Sequence, residues 1–186
     1  MSRVTVIEFV TVDGVVEDPD GSAGTERGGW AFRYGPESVA GDKFRLGELM
    51  ETGALLLGRS TWELFSNIWP GRSDDFSQRM NAMRKLVVSR SLQSVDAWSN
   101  STLLTGDLCD EVRQADRDLV VAGSSSVVAS LIEQDLVDEY RLLVFPLVLG
   151  MGRRLFADGG PCLDLELVSA EPAGAAVLQV FRRVSR

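Results

Sequence analysis

Residues 54–65, Ala54-Leu-Leu-Leu-Gly-Arg-Ser-Thr-Trp-Glu-Leu-Phe65, decide the fold. Ala54 to Leu57 is an apolar run of strand length, Gly58 punctuates it, and Ser60 to Phe65 opens a helix. A strand that delivers a small-residue turn to a helix N-terminus is the ligand edge of an α/β sheet. The same grammar recurs at Asp118 to Ala122, which runs into Gly123-Ser-Ser-Ser126 and then a helix over Val127 to Gln134. A third buried strand, Lys85 to Ser89, ends at Arg90-Ser91.

Working outward, Val4 to Val12 is a β-branched run suited to a strand buried on both faces, ended by Asp13-Gly14. Residues 17–41 form a long Gly-, Pro- and Asp-rich loop, in which Trp30 and Phe32 either anchor the loop to the core or meet a ligand. The spacing of Phe44, Leu46, Leu49 and Met50 predicts a helix over Asp42 to Thr52. Thr102 to Thr105 reads as a strand and Asp107 to Ala115 as a short acidic helix. Val137 to Leu149 is strand-like, with Pro146 placing it at an edge or bending its end. Leu163 to Ala170 and Ala176 to Val184 alternate around Glu171-Pro-Ala-Gly174, a hairpin signature. The expected architecture is α/β: one mixed sheet, helices on its faces, an antiparallel end, and one domain over residues 1–186.

Composition narrows the chemistry. The 186 residues are 45% hydrophobic and 25% charged, and 19 basic against 27 acidic side chains leave a net charge of −8. A global basic footprint for nucleic acid is absent. The chain has no histidine, which excludes a Ser-His-Asp triad, a Cys-His dyad and the usual histidine-containing zinc sites. Cys109 and Cys162 stand in no CxxC, so two buried free thiols, or less simply one disulfide, are expected, and no metal site. The N-terminus runs straight into a strand pattern and no apolar run reaches about 18 residues, so the expected location is cytoplasmic, without membrane association.

In so acidic a chain, an anionic ligand needs local donors. Gly58-Arg59-Ser60-Thr61 joins a helix N-terminus to a fixed cation, and Ser89-Arg90 adds a second. Gly123-Ser124-Ser125 supplies backbone N–H groups and hydroxyls. Each motif alone also fits a surface arginine or a serine cap; three strand ends of this kind together suit a ligand with several phosphates. Gly150-Met-Gly152-Arg-Arg-Leu155 lacks the last glycine of a dinucleotide fingerprint and reads as a tight turn.

Leu55 to Glu63 resembles the dihydrofolate reductase pattern, a strand ending in Gly-Arg-x-Thr and an aromatic residue followed by Glu. Lys85 to Ser91 is similar to that family's next strand and turn, and Leu119 to Ser126 to its Gly-Gly phosphate turn, with Ser124 in place of the second glycine. Asp138 to Leu142 with Pro146 to Phe156 is closer to the reductase domain of the bifunctional riboflavin-biosynthesis enzyme. The chain is thus identified as a stand-alone member of the dihydrofolate reductase-like superfamily, of the riboflavin reductase C-terminal-domain type. That resemblance implies a mostly parallel eight-stranded sheet with a C-terminal antiparallel hairpin, NADPH as hydride donor, a small heterocyclic substrate and a homodimer. The apolar, edge-like Leu142 to Leu149 is the segment expected to need covering in such a dimer.

By the same resemblance, Gly58, Arg59, Ser60 and Thr61 hold cofactor phosphates, and Ser89 and Arg90 the adenosine end. Gly123, Ser124 and Ser125 form the pyrophosphate turn, and Val12, Asp13 and Gly14 lie near the nicotinamide. Asp42 precedes Gly58 by the interval of the family's substrate-binding acid. It is either the catalytic carboxylate that holds an amidine-like edge or a helix acid facing water. The competing reading of the whole chain is a nucleotide- or ligand-binding module of this fold without turnover.

Overall fold

The computed structural model describes residues 2–184. Eight strands follow the order β4-β3-β2-β5-β1-β6-β8-β7. They are β1 (Val4–Thr11), β2 (Ala54–Gly58), β3 (Arg84–Val88), β4 (Ser101–Leu104), β5 (Leu119–Val121), β6 (Glu139–Phe145), β7 (Leu165–Ala173) and β8 (Ala176–Arg183). Five helices intervene: α1 (Leu49–Thr52), α2 (Arg59–Ile68), α3 (Asp75–Ala82), α4 (Leu108–Arg113) and α5 (Ser125–Glu133). The chain divides into two compact units, residues 1–6 with 46–137 and residues 7–45 with 138–186.

In the first unit β1, β5, β2, β3 and β4 pair in parallel through their shared neighbours. Parallel strands covered on both faces need continuous apolar runs, and Leu55, Leu56, Leu57, Val87, Val120 and Val121 are all fully buried. The register aligns Val6, Val121 and Leu56 in one row and sets Gly58 beside Val88, so β2 and β3 end at one level. One charge enters this core. Lys85 is buried, donates to the carbonyls of Asn81 (2.6 Å) and Ser99 (3.1 Å), and lies 4.2 Å from the centre of the Trp98 ring. Burial lowers its ammonium to about 8.

In the second unit β8 pairs antiparallel with β6 and β7. Val15, Trp30, Leu143, Phe145, Leu178 and Val180 form its core. Trp30 is the loop anchor, with its ring against Phe145 and its Nε1 donating to Glu17 O at 2.8 Å, while Phe32 is exposed. Asp18 organises the same loop. Burial opposes its charge, but the N–H groups of Ala23 and Thr25 (2.9 Å each) and the Thr25 hydroxyl (2.8 Å) hold its carboxyl below the usual range.

Four expectations are corrected. The helix over Asp42 to Thr52 shrinks to Leu49–Thr52, because Arg45 and Gly47 take φ of 53° and 55° and turn the chain; Asp42 therefore lies in a turn. Val137 to Leu149 is not an edge, since β6 sits between β1 and β8 and stops before Pro146, so Leu142, Leu143, Phe145 and Leu149 are already buried. The outer strand on this side of the sheet is β7, where Pro172 removes a donor at no cost to the interior. The hairpin closes more tightly than Glu171 to Gly174 suggests, over Gly174 and Ala175 alone, with Gly174 at φ 66°. Both cysteines are free, but Cys109 is only half-buried and Cys162 is exposed.

Candidate functional site

The site is built from two helix starts in the first unit. β2 leads directly into α2 with Gly58 as N-cap, and the chain after β5 leads into α5 with Ser124 as N-cap. The two turns meet. The Gly58 N–H donates to Gly123 O at 3.1 Å. A Cβ on Gly58 would stand 2.0 Å from Ser124 Oγ, 2.9 Å from its Cβ and 3.0 Å from its backbone N. A Cβ on Gly123, at φ 100°, would stand 2.8 Å from Thr61 Oγ1. This explains how Ser124 fits in place of a glycine: the missing side chain of Gly58 makes the room.

A contrast within this unit shows what the helix starts offer. The N-caps of α3 and α4 are carboxylates: Asp74 accepts from Ser77 N at 3.0 Å, and Asp107 from Cys109 N at 2.9 Å and Asp110 N at 3.3 Å. Both helices also carry acids in their first turns. α2 and α5 have neither a side-chain cap bond nor a first-turn acid. Their first N–H groups thus lack the internal anion that the other two helices possess, and the dipole leaves the positions favourable to an external one.

Around these starts lie the other predicted residues of the unit. Arg59 is half-exposed and makes only a 3.9 Å pair with Glu63 one turn along α2, an interaction of small worth at the surface. Ser60 is exposed and Thr61 half-buried. Ser89 follows β3, and its Oγ accepts from Ser91 N and Leu92 N (3.1 and 3.0 Å), which fixes the turn that exposes Arg90. Ser125 opens α5.

Val12, Asp13, Gly14 and Asp42 belong to the second unit. Val12 is exposed, and its N–H donates to Leu147 O at 2.9 Å. Asp13 is a clamp: one oxygen accepts from the Thr11 hydroxyl (2.6 Å) and Leu149 N (3.2 Å), the other from Gly150 N (2.7 Å). The Thr11 hydroxyl bond and these amide bonds draw its carboxyl down to about 2. Its acceptor positions are therefore engaged in holding the segment after β6. Gly14, at φ 82°, makes the tight return that lets Leu155 N reach its carbonyl.

The chain matches the family model of the RibD C-terminal domain over residues 2–178. It belongs to that family. Over 187 residues it is 25% identical to an uncharacterized protein, YyaP, of Bacillus subtilis strain 168, covering 96% of this chain and 93% of that one. Among solved structures it is similar to a putative riboflavin biosynthesis protein from Shewanella sp. PV-4 (TM-score 0.74, 18% identity, 98% of this chain and 99% of that one). It is also similar to RibD of Acinetobacter baumannii (0.66, 13%, 99% and 58%) and to a pyrimidine reductase-like protein from Corynebacterium diphtheriae (0.57, 9%, 100% and 93%). At these identities the structures establish the fold. For a RibD C-terminal-type chain the expected eight-stranded, mostly parallel sheet with a terminal hairpin is the observed one.

Two features of this RibD C-terminal-type domain were not singled out from its sequence. Glu8 is a lone acid inside the apolar run Val4 to Val12, and Arg141 a lone cation inside Glu139 to Phe145. A charge that breaks an otherwise apolar strand was the available signal for both. No group of metal-binding side chains occurs among the described residues, and no helix there is long and apolar enough to cross a membrane.

Proposed function

We propose that this protein is an NADPH-dependent reductase of a small heterocycle of pterin or pyrimidine type. The observation that carries the reading is the contrast between helix starts: α3 and α4 are capped by their own carboxylates, while α2 and α5 are left without one. The chain's membership of the RibD C-terminal domain family supports a reductase-like reading of such a pair of starts. In this reading the N–H groups and hydroxyls at Gly58, Ser60, Thr61, Gly123, Ser124 and Ser125 hold the cofactor phosphates, with Arg59, Ser89 and Arg90 toward the adenosine end. Val12, Asp13 and Gly14 are assigned to the nicotinamide side, with Asp13 serving through the loop it clamps. Bound NADPH would supply the hydride, and the protein orientation and electrostatics. NADPH oxidation measured against a panel of pterins and pyrimidines tests the activity. Binding without consumption of any of them leaves a nucleotide-binding module.

Arg59 is assigned to the 2′-phosphate, a dianion that suits a planar, permanently charged donor. Arg59→Ala is expected to weaken NADPH about tenfold and leave NADH nearly unchanged, since a half-exposed charge-assisted bond contributes at the low end of about 1.5–3 kcal/mol. Titration calorimetry with both cofactors reads this. Equal losses would move Arg59 to the pyrophosphate or to the fold.

Asp42 is assigned to the amidine-like edge of the substrate. Asp42→Asn keeps the shape and removes the charge, so turnover is expected to fall at least tenfold while NADPH affinity holds. Unchanged turnover would return Asp42 to a solvated turn.

A homodimer belongs to the same proposal, on a sheet face and not on an edge of β6. One face of β6, β8 and β7 carries the rows Tyr140–Phe181–Leu167, Leu142–Gln179–Ala170 and Val144–Val177–Pro172. Leu167 and Val177 remain exposed there, and Phe156 packs edge-on against Tyr140. A two-fold axis sets such a face against its own copy. Light scattering at micromolar concentration is expected to give twice the chain mass, and Val177→Glu the single mass; a monomeric wild type ends the assignment.

A further inference from the structure

β6 carries a buried ion pair whose partners say more than its charge. Glu139 is nearly sealed, and the Arg141 Nε donates to its Oε1 at 2.8 Å. Arg182 approaches the other oxygen at 3.6 Å from the surface. Removing two charges from water consumes most of what their attraction returns, so such a pair is a poor source of stability. The rest of the guanidinium shows what the arrangement accomplishes. Its Nη1 donates to Phe44 O at 3.0 Å and to Arg45 O. Both carbonyls belong to the turn that begins at Asp42, where Arg45 N closes on Asp42 O at 3.2 Å and Arg45 takes φ 53°. Between the two gripped carbonyls the chain adopts a left-handed conformation that a non-glycine residue rarely holds unaided. The Phe44 ring stacks on Phe9 of β1 at 5.4 Å, which fixes the turn from its other side. A planar fork can serve a carboxylate and two carbonyls at once; a single ammonium on a flexible stem does so poorly.

We propose that Arg141, oriented by Glu139, is a positioning residue for Asp42: it locks the Asp42–Arg45 turn and so sets where the substrate-binding carboxylate stands. This rests on the reading of Asp42 given above. Asp42 left the expected helix for a turn, and a turn without helical hydrogen bonds needs an external hold. Arg141 and Phe9 supply it.

The test uses 2,4-diaminopteridine, a heterocycle with an amidine-like edge, titrated into the full chain, with NADPH titrated separately. Asp42→Asn is expected to weaken the pteridine at least tenfold and Arg141→Lys about fivefold, both leaving NADPH unchanged. The double variant is expected to bind no more weakly than Asp42→Asn alone, because Arg141 acts only through Asp42. Amide exchange at residues 43–46 is expected to quicken in Arg141→Lys. If Arg141→Lys does not fold, Glu139→Gln, which leaves the carbonyl bonds but loosens their orientation, is expected to give the same pattern more weakly. Losses that multiply in the double variant, or an Arg141→Lys that binds like wild type while Asp42→Asn does not, overturn this inference alone. An Asp42→Asn that binds like wild type, or a wild type that ignores the probe, overturns the Asp42 reading and this inference with it.

Discussion

Gly58→Ala is expected to lower the unfolding free energy by about 2–3 kcal/mol and to weaken NADPH by about ten- to a hundredfold. The backbone of Gly58 is ordinary, at φ −75° and ψ 162°, so alanine meets no conformational penalty there. The obstacle is the neighbouring turn. Ser124 Oγ, 2.0 Å from the new Cβ, could rotate aside, but Ser124 Cβ at 2.9 Å and its N at 3.0 Å belong to the chain that starts α5. That chain must move, and forced shifts of a packed backbone cost about 1–3 kcal/mol. The same shift separates the two helix starts, which is why affinity should fall with stability. In a chain of this length such a loss lowers the melting temperature by about 5–10 °C. Adding Ser124→Gly to Gly58→Ala removes the Oγ and Cβ contacts and leaves only the 3.0 Å approach to nitrogen, so the double variant should recover most of the lost stability and only the part of the affinity that does not depend on the Ser124 hydroxyl. A Gly58→Ala protein with wild-type melting and wild-type NADPH affinity would show that the two turns do not depend on each other.

The strand ends that carry this argument were legible because buried parallel strands and glycine turns leave strong local marks. Leu55 to Gly58 and Leu119 to Gly123 could hardly be anything else. What local pattern could not supply was the partner of each turn. Nothing in the sequence near Gly58 says that its missing side chain is filled by Ser124, 66 positions away. The helix α3 was overlooked because its apolar residues are few, although Asp74, three residues before Ser77, is a standard cap spacing. The reverse error occurred at Asp42 to Thr52, where apolar spacing promised a helix and two left-handed residues, Arg45 and Gly47, prevented it. The carbonyls of Phe44 and Arg45 accept from Arg141, almost a hundred residues on, and no window of neighbours contains that information. Of the two readings of Pro146, an edge position or a bend near the strand's end, the bend is the observed one: the strand stops at Phe145 and the proline lies just outside it.

Replacing Glu8 by glutamine should stabilise the protein at pH 8 and above and change little at pH 5 or below. Glu8 lies on the central strand β1, and alternation places it on the strand face of Val4, Val6 and Val10, all buried. Burial among such neighbours disfavours the charged form and pushes its carboxyl from 4.5 up to about 8. Below pH 4.5 the folded and unfolded chains both carry the proton, and Glu8 has no effect on the balance. Between 4.5 and about 8 the folded chain keeps a proton that the unfolded chain has released, so stability falls as pH rises. Above about 8 the carboxylate is charged in both states and the full penalty of burying it is in place. Each factor of ten in proton affinity corresponds to about 1.4 kcal/mol. A sealed carboxylate would thus cost nearly 5 kcal/mol over this window, but the side chain is only half-buried, and about 2–3 kcal/mol is the expected loss. Glutamine has the same shape and no titration, so its stability curve should stay flat where the wild type declines. Lys85 contributes a slope of the opposite sign, since its folded value near 8 lies below its unfolded 10.5, but that slope begins only where the Glu8 window closes. Denaturant unfolding of both proteins at half-unit steps from pH 5 to 8 isolates the carboxylate. Curves that run parallel across that range would mean that Glu8 is solvated and ionised in the folded protein.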